Sequence, residues 1–259
     1  MLRRVVATRY VVPLREGGSL PAVMEADDGA AYVVKFRGAG QGARALIAEV
    51  IAGELARALG LPVPELVLVE VDAAIGRNEG DPEIQSLVIA SAGGNAGLAY
   101  LAGALNFDAA ARPKIAADLA AKIVAFDAFA QNMDRTAKNP NLLWWQGALW
   151  LIDHGAALYW QHDWDGGLAG FDSVFQRIAG HVLLPWADPV VAQQGWLIGG
   201  LTDAAIEAAV AAVPDDWWEP AAASSVAAMR DNFAARLRAR RDVAPRYLEE
   251  ADRARARGV

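Results

Sequence analysis

Three polar residues between positions 134 and 153 have the types and the spacing that phosphoryl transfer requires. Asn139 follows Asp134 by five residues, and Asp153 follows Asp134 by nineteen. An aspartate can orient an attacking hydroxyl group and accept its proton, while an asparagine and a second aspartate can hold Mg²⁺ on the phosphates of ATP. Mg²⁺ prefers hard oxygen ligands and keeps several waters, so one or two protein oxygens suffice. The sequence therefore predicts that Asp134 is catalytic and that Asn139 and Asp153 bind the metal.

A short hydrophobic hairpin is predicted to bring these residues together. Residues 141–145 and 148–152 are aromatic and aliphatic runs of strand length, separated by a Gln-Gly pair that suits a two-residue turn. The alternative is a buried hairpin in which Asp134 and Asn139 only cap turns, because both residue types are common in turns. We favour the catalytic interpretation because all three polar groups occur together.

The segment 132–139, Asn-Met-Asp-Arg-Thr-Ala-Lys-Asn, resembles the catalytic loop of the HipA-like kinases, in which an N-x-D-x-x-A-K-N run is typical. The segment 152–155, Ile-Asp-His-Gly, is similar to the metal-binding segment of that group and of phosphoinositide-kinase-like enzymes, which often contain I-D-F-G. The resemblance covers most of the chain but is sharp only from about 125 to 160. Two positions depart from the pattern: His154 stands where Phe is frequent, and Thr136 where many relatives carry His.

This resemblance implies an α+β, two-lobed, protein-kinase-like fold. Residues 1–92 would form an N-lobe with a small antiparallel sheet and one helix, and residues 93–259 a mainly helical C-lobe. It also implies ATP and Mg²⁺ as cofactors. Lys138 would then add positive charge near the transferred phosphoryl group; the alternative is an exposed loop lysine.

The first third of the chain fits a nucleotide-binding sheet. Strands are predicted at residues 5–14, 20–26 and 31–36. In kinases a glycine-containing turn between the first two strands lies over the phosphates, and a lysine on the third strand contacts them. The corresponding candidates are Gly17, Gly18 and Ser19 for the turn and Lys35 for the lysine. The alternatives are an ordinary turn and an exposed strand lysine.

Residues 43–60 form the clearest predicted helix of the first half, ending at Gly60 ahead of two prolines. Kinases use a glutamate on this helix to hold the lysine, and the resemblance selects Glu49. Helical projection places Glu54 within the apolar arc and Glu49 at its edge. A carboxylate within an apolar arc needs a partner, so Glu54 is the alternative to Glu49.

The remaining elements are predicted from periodicity and turn residues. Strands are expected at 65–71 and 86–90, and helices at 115–130, 203–213 and 219–241. The small-residue stretch 91–97 is either the lobe connection, whose backbone contacts adenine in kinases, or a plain surface loop. Asp127, near the end of the 115–130 helix, either braces the catalytic loop or belongs to a polar helix face. The aromatic segment 159–164 either lines a substrate pocket or packs the core.

Composition excludes several classes of protein. The chain has 259 residues, 54% of them hydrophobic, and no cysteine, so disulfides, thiolate metal sites and cysteine nucleophiles are excluded. Its net charge of −7 argues against a general nucleic-acid binder. We find no apolar run long enough for a membrane span and no signal peptide, and we expect a cytoplasmic protein.

The sequence therefore supports two hypotheses of different classes. The first is an ATP-dependent kinase acting on a hydroxyl acceptor, a protein Ser or Thr by the resemblance or a small-molecule alcohol as in aminoglycoside phosphotransferases. The second is a non-catalytic binding module with a kinase-like fold. Nucleotidyl transfer on the same scaffold is a third, weaker hypothesis. We favour the kinase because every principal polar group is present.

Overall fold

The computed structural model describes residues 1–14, 20–40, 42–77, 79–111, 113–219 and 225–257. The strands are β1 (Arg3–Pro13), β2 (Ala22–Ala26), β3 (Ala31–Lys35), β4 (Leu66–Val71), β5 (Gly93–Ala99), β6 (Leu105–Asn106), β7 (Leu142–Trp145) and β8 (Ala148–Leu151). The α-helices are α1 (Gly42–Ala58), α2 (Ala73–Arg77), α3 (Pro82–Ala90), α4 (Ala117–Ala130), α5 (Gln194–Gly200), α6 (Asp203–Ala211), α7 (Val226–Asp242) and α8 (Ala244–Ala256). The fold is thus a mixture of strands and helices, as predicted.

The first five strands form a closed barrel in the order β1-β2-β3-β5-β4. The predicted small antiparallel sheet is wrong in two respects: the sheet closes, and β4 runs parallel to β1. The parallel pair arises because α1 lies between β3 and β4 and returns the chain in the direction of β1. Closure pairs every strand on both sides and removes the free edges that an open sheet would expose.

Two predicted segments near residue 90 are also wrong. The strand expected at 86–90 lies within α3, because Asp81 accepts a hydrogen bond from the Glu83 backbone and Pro82 follows at the first helical position. The lobe connection expected at 91–97 instead enters β5, which pairs with both β3 and β4. The barrel therefore continues past residue 92, and the chain leaves it after Ala99.

Alternate residues of β4 serve two hydrophobic cores. Val67, Val69 and Val71 point into the barrel, while Leu66 and Leu68 pack into the larger core with α1. The barrel interior is tight, since a Cβ atom on Gly97 of β5 would lie 2.5 Å from the Val69 side chain. The larger core continues through α4, α7 and α8, so α1 joins the barrel to the helical part of the chain.

The end of α4 is held at every one of its last four carbonyl groups. The Asp127 carbonyl accepts from the backbone N–H groups of residues 131 and 132, and the Ala130 carbonyl accepts from the Leu158 N–H. The carbonyls of Ala128 and Phe129 accept from the buried guanidinium of Arg240 on α7. Helix ends normally leave four such acceptors unsatisfied, so the loop that follows α4 starts from a fixed point.

Arg240 and Arg236 also hold residues 167–173 by backbone carbonyls alone. Arg240 donates to the carbonyls of Phe171 and Ser173, and Arg236 to those of Gly167 and Ala169. Arg236 lies over the Trp160 ring, 4.3 Å from its centre. We define residues 167–173 as the carbonyl-held segment.

The predicted hairpin is present as β7 and β8, with β6 added on its outer side. Gln146 and Gly147 both have positive φ angles, 49° and 76°, as a two-residue hairpin turn requires.

Among the described residues, no helix has the length and apolar character needed to cross a membrane.

Candidate active site

Lys35, Glu49 and Asp153 meet between the barrel and the helical part of the chain, and we call them the lysine cluster. The Lys35 Nζ atom lies 2.6 Å from Glu49 Oε2 and 2.5 Å from Asp153 Oδ1. Glu49 comes from α1, Lys35 ends β3, and Asp153 follows β8. Glu54 instead pairs with Arg57 on the same helix at 3.3 Å. Of the two predicted glutamates, the structure thus brings Glu49, not Glu54, to the lysine.

Burial and charge act against each other in the lysine cluster. Burial alone would lower the pKa of Lys35, but the charges of Asp153 and Glu49 outweigh it and raise that pKa above its ordinary value. Burial would likewise raise the pKa of Glu49, but Lys35 and then His154 bring it down to about 2. The charges of the cluster stabilise one another, so Lys35 and Glu49 are both charged at neutral pH.

His154, which stands where Phe is frequent, lies beside Glu49 with no solvent exposure. Its Nδ1 atom is 3.7 Å from Glu49 Oε1, beyond hydrogen-bond distance. Neither ring nitrogen of His154, nor Glu49 Oε1, has a hydrogen-bond partner among the described residues. Burying such atoms without a hydrogen bond is costly, so what His154 contributes here is its electrostatic effect on Glu49.

The catalytic-loop candidates are joined by side-chain amides. Asn139 Nδ2 donates to Asp134 Oδ2 at 2.7 Å, and Asn141 Nδ2 donates to the same oxygen at 3.2 Å. Asn139 is exposed, whereas Asn141 is 9% exposed. Lys138 lies on the same loop and is exposed. The structure therefore pairs Asp134 with Asn139 and adds Asn141, which the sequence analysis did not identify. No hydrogen bond among the described residues joins Asn139 to Asp153, so their predicted shared metal stays a prediction.

A second buried cluster, the arginine cluster, lies beneath the loop and consists of Asp127, Arg135 and His181. Asp127 Oδ2 accepts from Arg135 Nε at 2.5 Å and from His181 Nε2 at 2.8 Å. The His181 Nδ1 atom accepts from the Leu183 N–H at 3.1 Å, which fixes the neutral tautomer with its proton on Nε2. Burial would raise the pKa of Asp127, but Arg135 and His181 hold it well below its usual range. Burial lowers the pKa of His181 despite Asp127.

The arginine cluster also binds both ends of the β7–β8 hairpin. Arg135 Nη1 donates to the Asn141 carbonyl at 2.5 Å and, more weakly, to the Ile152 carbonyl at 3.4 Å. Asn141 precedes β7, and Ile152 directly precedes Asp153. One guanidinium group therefore links the segment carrying Asp134 to the segment carrying Asp153.

Backbone geometry marks both ends of the hairpin as special. Asn141 and Asp153 have φ angles of 49° and 54°, in the left-handed region that asparagine and aspartate tolerate best after glycine. Such conformations cost energy and concentrate at functional sites. Here they direct Asn141 toward Asp134 and Asp153 toward Lys35.

The cavity beside the lysine cluster is small. A cavity of about 30 Å³ is lined by Lys35, Phe36, Ala39, Gly42, Ala45, Leu46, Asp153 and Gly155. Two side-chain contacts involve sequence neighbours of the lining residues: Arg37 pairs with Asp216 at 2.6 Å, and Arg44 on α1 donates to the His162 carbonyl at 2.6 Å. A larger cavity of about 310 Å³, against β1 and α2, is lined by none of the predicted site residues.

The donor set suits a metal that is shared with phosphate. Among the described residues, no three acidic or histidine side chains gather into a metal site. Asp153 has a side chain that is 44% exposed, and Asn139 is also exposed, so both hard oxygens are accessible. Mg²⁺ commonly takes one or two protein oxygens and completes its shell with water and phosphate oxygens, and the side chains of Asp153 and Asn139 supply oxygens of that kind.

The glycine turn lies outside the described residues. Gly17, Gly18 and Ser19 therefore stay predictions. Asn141 and His181 were missed by the sequence analysis. The Asn-Pro-Asn run at 139–141 is a signal that could have identified Asn141, since asparagine suits the left-handed conformation at the start of the hairpin. No local pattern links His181 to the catalytic loop.

Comparison with known proteins identifies the family. The model of the HipA-like kinase family matches residues 8–244. Among solved structures, the chain is similar to a Helicobacter pylori proinflammatory kinase, CtkA, with a TM-score of 0.58, 12% identity and coverage of 97% of both chains. At this identity the likeness shows the fold alone. No curated protein matches the chain.

Proposed function

Since the chain belongs to the HipA-like kinase family, we propose that it transfers the γ-phosphoryl group of ATP, with Mg²⁺, to a protein Ser or Thr hydroxyl. The observation that carries this proposal is the convergence of Lys35, Glu49 and Asp153 from three separate elements within 2.6 Å contacts. A lysine–glutamate ion pair beside a metal-binding aspartate is the arrangement that protein kinases need for activity.

The chemistry divides among these side chains. Lys35 would bind the phosphates, with Glu49 fixing its Nζ atom. Asp153 and Asn139 would hold Mg²⁺, which when bound neutralises charge on the phosphates. Asn139 uses its Nδ2 atom for Asp134, so its amide oxygen is the atom we assign to the metal. The first turn of α1, which lines the cavity, would add backbone N–H groups toward phosphate.

Asp134 is the residue we assign to the acceptor hydroxyl. Asn139 and Asn141 both donate to its Oδ2 atom, so we propose Oδ1 as the atom that orients the hydroxyl and receives its proton. The hydroxyl oxygen forms a bond to the γ-phosphorus atom, and the bond to the ADP oxygen breaks. Lys138 would stabilise negative charge on the transferred group.

We further propose that the molecule works as two lobes. The barrel with α1 would be the N-lobe and the chain after Ala99 the C-lobe, with ATP between them. Because the cavity at Lys35 is about 30 Å³, far below the roughly 300–1,000 Å³ of ligand pockets, nucleotide entry would require the Lys35–Asp153 contact to separate.

Calorimetry with ATP and Mg²⁺, together with radiolabel transfer to the protein itself and to Ser/Thr peptides, tests this function. We expect Mg²⁺-dependent binding and labelling that are lost in Asp153→Asn. Asp188→Asn, an exposed aspartate outside the cluster, makes the same charge change and is the matched control. Folded wild type without ATP binding would refute the proposal. Labelling of small-molecule alcohols in place of peptides would change the acceptor class.

A further inference from the structure

We propose that Asn141 is a positioning residue for the Asp134 carboxylate, held in place by Arg135 and Asp127. The inference deepens the proposed function and rests on it for the role of Asp134. Asn141 lies outside the sequence motif, and its amide contacts the same oxygen of Asp134 that Asn139 contacts. The two asparagines differ in that Asn141 is buried and bound by Arg135, whereas Asn139 is exposed.

Arg135 connects the buried carboxylate to Asn141. Its Nε atom donates to Asp127 Oδ2 and its Nη1 atom to the Asn141 carbonyl, both at 2.5 Å. A guanidinium group is planar and rigid, so fixing one partner fixes the direction of the other. The position of the Asn141 backbone is thereby set by Asp127, which is fully buried on α4.

The conformation of Asn141 directs its amide to Asp134. The Asn141 carbonyl accepts from both Arg135 and the Ile152 N–H, the latter at 3.1 Å. With its backbone held there at a φ of 49°, the Nδ2 atom of Asn141 reaches Asp134 Oδ2 at 3.2 Å. The contact is therefore a consequence of a fixed backbone and not of a freely rotating surface side chain.

The backbone of Asp134 is also connected to the Asp127 carboxylate, through the side chain of Asn132. Asn132 Nδ2 donates to Asp127 Oδ1 at 3.2 Å, and Asn132 Oδ1 accepts from the Asp134 N–H at 3.1 Å. Asp127 therefore fixes the main chain of Asp134 through Asn132 and its side chain through Arg135 and Asn141. His181 supplies the remaining donor to Asp127 and keeps the carboxylate from turning.

Asn139 and Asn141 donate to the same Asp134 oxygen, and we assign them different roles. Asn139 is exposed and is the residue we assign to the metal, so its contact with Asp134 changes as the metal binds and leaves. Asn141 is buried and bound by Arg135, so its contact persists. Asn141 then keeps Asp134 aligned with the acceptor hydroxyl throughout turnover.

Asn141→Gly is the variant that tests this role. Glycine adopts a positive φ without strain, so the substitution removes the amide and keeps the backbone conformation. Gln146→Gly is the matched control, because Gln146 has the same φ of 49° in the same hairpin but is exposed at its turn. We expect Asn141→Gly to lower kcat about tenfold to a hundredfold, with the KM for ATP within twofold of wild type. Gln146→Gly should change neither.

Crystal structures of wild type and Asn141→Gly supply a readout that does not depend on activity. We expect the Asp134 carboxylate to leave its wild-type position in the variant while Lys35, Glu49 and Asp153 stay in place. A carboxylate that does not move overturns the inference, as does an unchanged kcat or an equal change in kcat and KM. Absence of transfer by wild type would refute the proposed function alone, and the position of Asp134 would still decide this inference.

Discussion

The lysine cluster and the arginine cluster are built from similar parts but differ in what they leave open. Each pairs a cation with a fully buried carboxylate, Glu49 in one and Asp127 in the other, and each carboxyl has a lowered pKa. In the lysine cluster, the side chain of Asp153 is 44% exposed and lines the cavity. In the arginine cluster every member is at most 5% exposed.

The difference separates a cation that can exchange partners from one that cannot. The ammonium group of Lys35 is a point charge on a flexible stem, so it can give up Asp153 for another anion. The guanidinium group of Arg135 is a planar fork whose Nε and Nη1 donors are directed at Asp127 and two backbone carbonyls. The ability to exchange anionic partners suits Lys35, which we assign to the phosphates. The fixed geometry of the guanidinium group suits Arg135, which keeps the catalytic loop in place.

The largest effect on stability is expected from Arg135→Met. This change leaves Asp127 buried without its cation, which costs about 3–5 kcal/mol in the free energy of unfolding. Arg246→Met, which breaks the exposed pair with Asp172, should cost at most about 1 kcal/mol. Urea unfolding at neutral pH measures both. Equal losses of unfolding free energy in the two variants would mean that the arginine cluster stabilises the fold no more than an exposed ion pair does.

Acidification should weaken both clusters and lower the free energy of unfolding. The pKa of Glu49 is about 2 in the folded protein against an ordinary 4.5. A lowered carboxyl pKa gives stability that is full above about pH 4.5 and is lost as the pH falls toward 2, roughly 3 kcal/mol in total. Asp127 acts in the same direction.

His181 moves the onset of this loss to higher pH. Its pKa is lowered from 6.5 by burial, so below that value the unfolded chain takes up a proton that the folded protein does not. Unfolding free energies from urea titrations at pH 7.5, 5.5 and 4 should therefore fall stepwise. His181→Gln should flatten the step between 7.5 and 5.5. Constant stability across this range would contradict both pKa directions.

A stabilising effect is expected from His154→Phe. The two ring nitrogens of His154, which make no hydrogen bond, are replaced by an apolar edge beside Phe126. Relief of their burial should outweigh the lost interaction with Glu49 and give a net gain of about 1 kcal/mol. The melting temperature, followed by calorimetry, should rise by several degrees. His162→Phe, at a partly exposed position, should give no such gain. A lower melting temperature in His154→Phe would show that the histidine has a role beside Glu49.

The smallest effect is expected from Glu54→Gln. Burial raises the pKa of Glu54, and its partner Arg57 is on the same helix, so the stability change should stay within about 0.5 kcal/mol. Phosphoryl transfer should be unaffected, whereas Glu49→Gln should greatly reduce it. Loss of transfer in Glu54→Gln would contradict the assignment of the lysine partner to Glu49.

Local patterns predicted the elements that hold the site. The α1 helix, the β7–β8 hairpin and the strand ending in Lys35 follow from composition and turn residues, and all three are present. The choice between Glu49 and Glu54 could not come from helical projection, because both are close to the apolar arc. It depends on where β3 and β8 place Lys35 and Asp153 around α1, which is a long-range property.

Long-range pairing explains the remaining errors. Small residues from 91 to 97 indicated a flexible connection, but most of them lie in β5, where close packing against Val69 requires a glycine at position 97. Closure of the barrel depends on β1 meeting β4, about sixty residues apart, and no local pattern encodes it. The contact between His181 and Asp127 is of the same kind.

The carbonyl-held segment has a consequence for how the protein can change. Arg236 and Arg240 bind residues 167–173 only through backbone carbonyls, and every amino acid offers the same carbonyl. The contacts of these two arginines therefore tolerate exchange of side chains in the segment. The exceptions are Gly170, with a φ of 73°, and Asp172 and Ser173, whose side chains contact Arg246 and Gln131. Evolution can revise the chemical character of the other positions of this surface one residue at a time, while Arg240 still holds the end of α4 from which the catalytic loop starts.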